Sequence, residues 1–130
     1  MAMNVPYEAI GKGFVQQYYA LFDDPAQRPN LINMYNTETS FMTFEGMQLQ
    51  GAIKIMEKLT SLSFQKINRM ITAIDSQPMF DGGVLINVLG RLQADEDPPH
   101  AFSQCFVLKP MGNSYYCQHD IFRLGIHDTA

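Results

Sequence analysis

The run GGVLINVLGRLQADEDPPHAFSQCFVLK, Gly82 to Lys109, decides the fold. Val84, Leu85, Ile86, Val88 and Leu89 suit a pleated, largely buried strand. Phe102, Cys105, Phe106, Val107 and Leu108 suit its partner. Between them lie Asp95, Glu96 and Asp97, followed by Pro98 and Pro99. Proline has no N–H for a ladder, so pairing should stop there. The expected product is a long antiparallel hairpin with three carboxylates at one end. Like charges a few ångströms apart in water repel by only about 1 kcal/mol, so a solvated loop tolerates them.

Outward from the hairpin, Asp81-Gly82-Gly83 is a turn signal, and Met70–Ser76 reads as a strand ending before Pro78. Pro110–Asn113 turns the chain, and Ser114–Leu124 is a last strand. Further upstream, Ser40–Phe44 is β-like, Glu45-Gly46 a turn and Met47–Gln50 a short return strand. Gly51 separates that strand from a helix near Ala52–Leu62, with Ile53, Met56 and Leu59 on one side. Phe64–Ile67 reads equally well as strand or loop. The longest helix spans Tyr7–Phe22, with Ile10, Phe14, Tyr18 and Leu21 at helical spacing, Val15 and Phe22 widening the stripe, and Pro6 before it. Gly11 and Gly13 mark close helix–sheet approach. Asp24 and Pro25 are the N-cap and first-turn residue of a further short helix, punctuated by Pro29. Helices first, one more inside, then long antiparallel strands: the pattern is α+β, with helices packed on one face of a curved sheet. At 130 residues, one domain over 1–130 is expected.

The chain carries 9 basic and 13 acidic residues, net −4. That argues against a phosphate-backbone binder and against a polybasic membrane-surface module. No apolar run is long enough for a membrane span, and the N-terminus lacks a secretory pattern. The 2 cysteines, Cys105 and Cys117, lack metal-type spacing and read as reduced, structural thiols of an intracellular protein. There are 9 methionines and no tryptophan; core filling is the plain role for methionine.

No phosphate loop, HExxH, GxSxG or CxxC is present. The acidic run lacks the spacing and glycine of a calcium loop. His100, beside that run, and His127, near the C-terminus, read as surface residues. His119 with Asp120 is the candidate acid–base pair for a cavity, though a satisfied or exposed pair is the simpler reading. Phe44 and Phe122 are candidates to line a concavity, against ordinary core. Tyr7 should be a half-exposed helix-end aromatic. No cofactor or metal is called for.

The order of these motifs resembles the nuclear transport factor 2 family over essentially the whole chain. The resemblance is carried by PYEAIGKGFVQQYYALFDD, SFMTFEGMQLQG, LSFQKINRMITAIDSQP, VLGRLQADEDPPHAFSQCFVLKP and DIFRLGIH. It implies a cone-like fold, a strongly bent antiparallel sheet wrapped by helices around a hydrophobic cavity, with two copies paired through their sheets. It further implies a non-enzymatic carrier that brings the GTPase Ran, in its GDP form, from cytoplasm to nucleus, crossing the nuclear pore on phenylalanine–glycine repeats of nucleoporins. Residue by residue, Glu45, Asp95 and Asp97 match rim acids that meet basic residues of Ran. Phe44 and Phe122 match the cavity aromatics that receive a Ran phenylalanine. Tyr7 matches the aromatic contact for the repeats, and Asn87 and Ile121 fall on the pairing face. Three departures bear on these roles: the prototype has Trp at Tyr7; His is usual at Arg69, counted with the Ran-binding residues, where it adds positive charge if it lies near the acidic rim; and Met is usual at Asn87. The alternatives are a partner subunit of an mRNA-export receptor and a small cavity isomerase or dehydratase of the same fold.

Overall fold

The computed structural model describes residues 6–62 and 66–125. His127 lies outside them, as does Phe64 in the stretch left open above. Helix α1, Tyr7–Asp23, packs along the sheet. It ends where Asp24 turns extended (φ −103°, ψ 112°), as a residue before proline prefers. Its buried stripe is Gly11, Val15, Tyr18, Tyr19 and Phe22: Tyr18, Val15 and Phe22 are buried as expected, Gly11 and Tyr19 join them, and Ile10, Phe14 and Leu21 flank the stripe half-buried. Gly11 marks the closest approach to the sheet, as expected of it. A Cβ there would sit 2.1 Å from Ser76 Oγ, so the helix touches the sheet along its glycine side. Gly13 meets nothing and plays no such part.

The expected helix at Asp24 starts later. Asp24 Oδ1 accepts from Ala26 N at 3.0 Å, a local turn. A 3-10 helix then runs Arg28–Met34 with Pro29 in its first turn. Buried Arg28 donates from Nε to the Phe22 carbonyl at 2.7 Å, fastening this helix to the end of α1.

Strands β1 (Phe41–Phe44) and β2 (Met47–Gln50) form the short hairpin, and helix α2, Ala52–Thr60, follows. Gly51 holds φ +88° there, and a Cβ would lie 2.7 Å from the Thr37 carbonyl. Helix α2 buries Ile55, Met56 and Leu59 and leaves Ile53 exposed, a correction to the expected face. Strands β3 (Ile67–Pro78), β4 (Val84–Ala94), β5 (His100–Met111) and β6 (Ser114–Leu124) are the long antiparallel run. The six-stranded sheet has the order β2-β1-β6-β5-β4-β3. One pair departs from the antiparallel expectation: β1 runs parallel to β6, with Phe41 opposite His119 and Phe44 opposite Phe122.

The sheet's inner face carries Ile86, Val88, Phe106 and Phe122 against α1 and α2. In β3 the register slips between Ile71 and Ala73, opposite Gly90 and Leu89. Gly90 sits where a Cβ would lie 2.4 Å from the Met70 carbonyl oxygen and 2.8 Å from the Phe102 ring. Backbone on one side and a packed ring on the other leave no cheap relief. Gly90→Ala is therefore expected to lower the unfolding free energy by about 2–3 kcal/mol in urea titration.

Candidate functional site

Between α1, β1 and the curved sheet lies a cavity of about 300 Å³. Its apolar walls include Phe22, Met42, Phe44, Leu92, Phe122 and Leu124; Tyr18, Arg69, Asp97, His100 and Gln104 add polar atoms. The parallel pairing sets Phe44 opposite Phe122, and their rings stack at 5.0 Å and 20°. Phe102 stacks on Phe122 at 6.0 Å, and Lys58 Nζ sits 5.7 Å from the Phe44 centroid. Phe122 keeps 7% of its surface accessible, so the rings form a wall and not a plug.

The three acids differ in circumstance. Asp97 is exposed and lines the cavity, in a turn where its N–H bonds the Ala94 carbonyl at 2.9 Å. Glu45, at φ +51°, donates its N–H to the Phe122 carbonyl, and its Oε1 accepts from Leu124 N at 2.5 Å. That fixes the carboxylate beside a lining residue. Asp95, also at φ +51°, exchanges two bonds with Lys66: its N–H to the Lys66 carbonyl at 2.8 Å, and Lys66 N to its Oδ1 at 2.9 Å. One oxygen of Asp95 thus ties the end of β4 to the residue that precedes β3, a structural duty its spacing gave no sign of.

Arg69 is a wall element. Asp23 grips it in a fork, with Nη2 to Oδ1 at 2.6 Å and Nε to Oδ2 at 3.0 Å. Its guanidinium lies 3.9 Å from the Tyr19 centroid and 5.0 Å from that of Phe102. The side chain is 5% exposed, so its charge is answered inside the fold by Asp23.

Behind the cavity, Asp120 gathers partners that the sequence did not signal. Asp120 is buried, and its carboxylate accepts from Tyr18 Oη (3.0 Å), Tyr35 Oη (2.8 Å) and Gln104 Nε2 (2.7 Å). Tyr19 Oη in turn donates to Gln104 Oε1 at 2.7 Å. Burial pushes the Asp120 carboxyl up to about 6, with the three donors pulling the other way. Burial also raises Tyr18, Tyr19 and Tyr35, so their hydroxyls stay protonated and keep donating. His119 is not part of this set. Neighbours on a strand face opposite ways, and His119 is exposed on the outer side beside Phe41. The signal available was weak: one aspartate at an inward register position, and tyrosines in a helix stripe.

Tyr7 opens α1, half-buried against the core. Asn87 pairs with Cys105, and Cys105 with Ile121, so Asn87 and Ile121 share one row on the outer face, both exposed. Leu89 is exposed on that same side. Cys105 is half-buried and Cys117 buried, both with free thiols. Among the described residues no group of three His, Cys, Asp or Glu could hold a metal, and no helix is long and apolar enough to cross a membrane.

The Nuclear transport factor 2 (NTF2) domain is matched over residues 10–124. The chain is 46% identical over 133 residues to a probable nuclear transport factor 2 of Caenorhabditis elegans, covering 99% of this chain and 100% of that one. It is 48% identical over 124 residues to nuclear transport factor 2 of Saccharomyces cerevisiae, covering 94% and 97%. Nuclear transport factor 2 of Cryptosporidium parvum superposes with a TM-score of 0.86 at 39% identity, over 92% of this chain and 96% of that one. These relatives are transport factors by name and support a role in nuclear transport. An apolar cavity inside a bent sheet, matched almost end to end by sequence and by shape, means that the chain belongs to the nuclear transport factor 2 family.

Proposed function

We propose that this chain is a homodimeric carrier that binds Ran in its GDP form and touches phenylalanine–glycine nucleoporins, moving through the nuclear pore between cytoplasm and nucleus. The observation that carries the reading is that Asp97 and the Phe44–Phe122 stack line one cavity, with Glu45 held next to it. Such a site suits one partner aromatic ring flanked by cations. Burying the ring contributes about 1.5–3 kcal/mol gross. Exposed Asp97 adds mainly to the association rate, and half-buried Glu45 to the lifetime of the complex. Asp95 contributes field more than a free carboxylate. Arg69, held by Asp23, shapes the wall against which the ring packs and adds no loose positive charge.

Catalysis is a poorer fit. The buried carboxylate, Asp120, has its donors in place already, and the cavity walls are chiefly hydrocarbon. Tyr7 offers an aromatic contact for repeats, weak after the ordering of a flexible segment, which suits transit. The outer face with Leu89 and Ile121 is the proposed pairing surface, and two copies give the repeats avidity. Polar Asn87 on that face favours a second reading, a heterodimeric partner subunit. Sedimentation at micromolar concentration separates them: a dimer is expected, and a monomer supports the second.

The decisive test is the binding of purified Ran–GDP and Ran–GTP to wild type, Asp97→Asn and Glu45→Lys. Ran–GDP should be preferred. Glu45→Lys should weaken it at least about tenfold, and Asp97→Asn should slow association, more at low salt. Variants that bind as wild type does would sink the acidic-rim reading.

A further inference from the structure

Ile10, Phe14 and Leu21 recur at helical spacing on α1, yet all three stay half-buried. They form one wall of a second hollow, a groove of about 440 Å³ between α1, the 3-10 helix and the end of the β5–β6 hairpin. Met34 and Tyr115 line it from the other side, and buried Leu108 is its floor. No lining residue is charged, in a chain with 9 basic and 13 acidic residues. We propose that this groove docks an extended, uncharged peptide segment of a partner protein, anchored by two large apolar side chains, one of them aromatic.

The chemistry of the lining selects that occupant. Exposed Gln17, Asn30 and Asn33 edge the apolar walls, and each side-chain amide can both donate and accept. That is the pattern a peptide backbone needs, around a hydrophobic centre. An aspartate or lysine in the segment would lose hydration and find no opposite charge. The volume is in the range of small-ligand sites, so it takes two side chains and not a folded surface. Both walls are set in advance. Phe14 stands edge-on to Phe106 at 5.1 Å and stacks on Tyr18 at 5.7 Å. Arg28 Nε fastens the 3-10 helix to the end of α1 at 2.7 Å. Docking therefore orders the segment alone. A second copy is a poorer occupant. Tyr115 lies two residues before buried Cys117 on β6, so it points to the helix-bearing side, away from the exposed row of Asn87 and Ile121. The groove and the cavity share no lining residue, so the inference is independent of the carrier reading.

The probe is the acetylated and amidated peptide Ser-Phe-Asn-Gly-Leu-Ser, added to the full chain at 0.15 M salt (about physiological) and followed by calorimetry and methyl NMR. It should bind with a Kd of about 0.1–1 mM. The methyl resonances of Ile10, Leu21 and Met34 should move, and those of Met42 and Leu92 in the cavity should not. Serine in place of both Phe and Leu should abolish binding. Asp or Lys in place of the central Asn should weaken it at least about threefold. Leu21→Ser/Met34→Ser should lose at least about tenfold in affinity; if that variant fails to fold, the wild-type shifts still decide. Shifts confined to the cavity, to Tyr7 or to the outer sheet face overturn the proposal. So does a serine peptide that binds equally well, or a charged one that binds tighter. A chain that ignores Ran–GDP but shows the groove shifts would defeat the carrier reading and leave this one standing.

Discussion

The Asp120→Asn variant is expected to gain about 2 kcal/mol on wild type as the pH rises from 4.5 to 7.5, read as the difference of their unfolding free energies in urea. Burial holds the folded-state carboxyl at about 6, above its ordinary 3.8. In between, the folded chain keeps a proton that the unfolded chain has released. Wild-type stability therefore falls as the pH climbs through this window and levels off above about 6. The whole shift corresponds to about 3 kcal/mol. Asparagine stays neutral and can satisfy every neighbour. Its carbonyl accepts from Tyr18 and Tyr35, its amide donates to a reversed Gln104, and Gln104 then donates to Tyr19. Asp120→Leu is the contrasting case. It strands those donors and should lose about 2–4 kcal/mol at every pH. Parallel pH profiles for wild type and Asp120→Asn would show that the carboxyl is not buried as described.

Phe106→Ala should cost more, about 3–5 kcal/mol, with a fall in Tm on the order of 10 °C or more. Phe106 is fully buried on β5, opposite Ile86 on one side and Asp120 on the other. Phe14 and Tyr18 meet it edge-on, at 5.1 and 4.9 Å. Truncation removes the ring that holds Tyr18 in place, and with it the aim of the Tyr18 hydroxyl at Asp120. The loss should therefore exceed that of an isolated core ring. Phe106→Leu keeps most of the volume and should cost no more than about half as much.

Much of this architecture was legible before any coordinates. The turns at Asp81-Gly82-Gly83 and Glu45-Gly46, and the strand Ser114–Leu124, stand where their residues put them, because glycine and β-branched or aromatic runs are local signals. What was not legible depends on partners distant in sequence. Periodicity says which way Phe44 points, and not that β1 runs parallel to β6, so the ring stack could only be named as a candidate. In α1 the pattern named Val15, Tyr18 and Phe22 but left Ile10, Phe14 and Leu21 equal to them, because Gly11, with no side chain, carries no hydrophobic weight and yet marks the closest contact. Arg69 and Asp23 lie 46 positions apart, Tyr18 and Asp120 102 apart. Nothing in either neighbourhood announces the other. The simpler reading of His119 and Asp120, a satisfied or exposed pair, fits what is found: adjacency in a strand places the side chains back to back, His119 exposed and Asp120 hydrogen-bonded inside.

The slip in β3 between Ile71 and Ala73 reaches beyond its own strand. Strand β3 is a rim of the sheet, 12 residues long, and a straight rim of that length would template a neighbour's backbone. Thr72, the extra residue, interrupts the row of free amides and carbonyls, and charged, exposed Asp75 lies three residues on. Copies at high local concentration are thereby steered away from ribbon-like polymerisation through this edge.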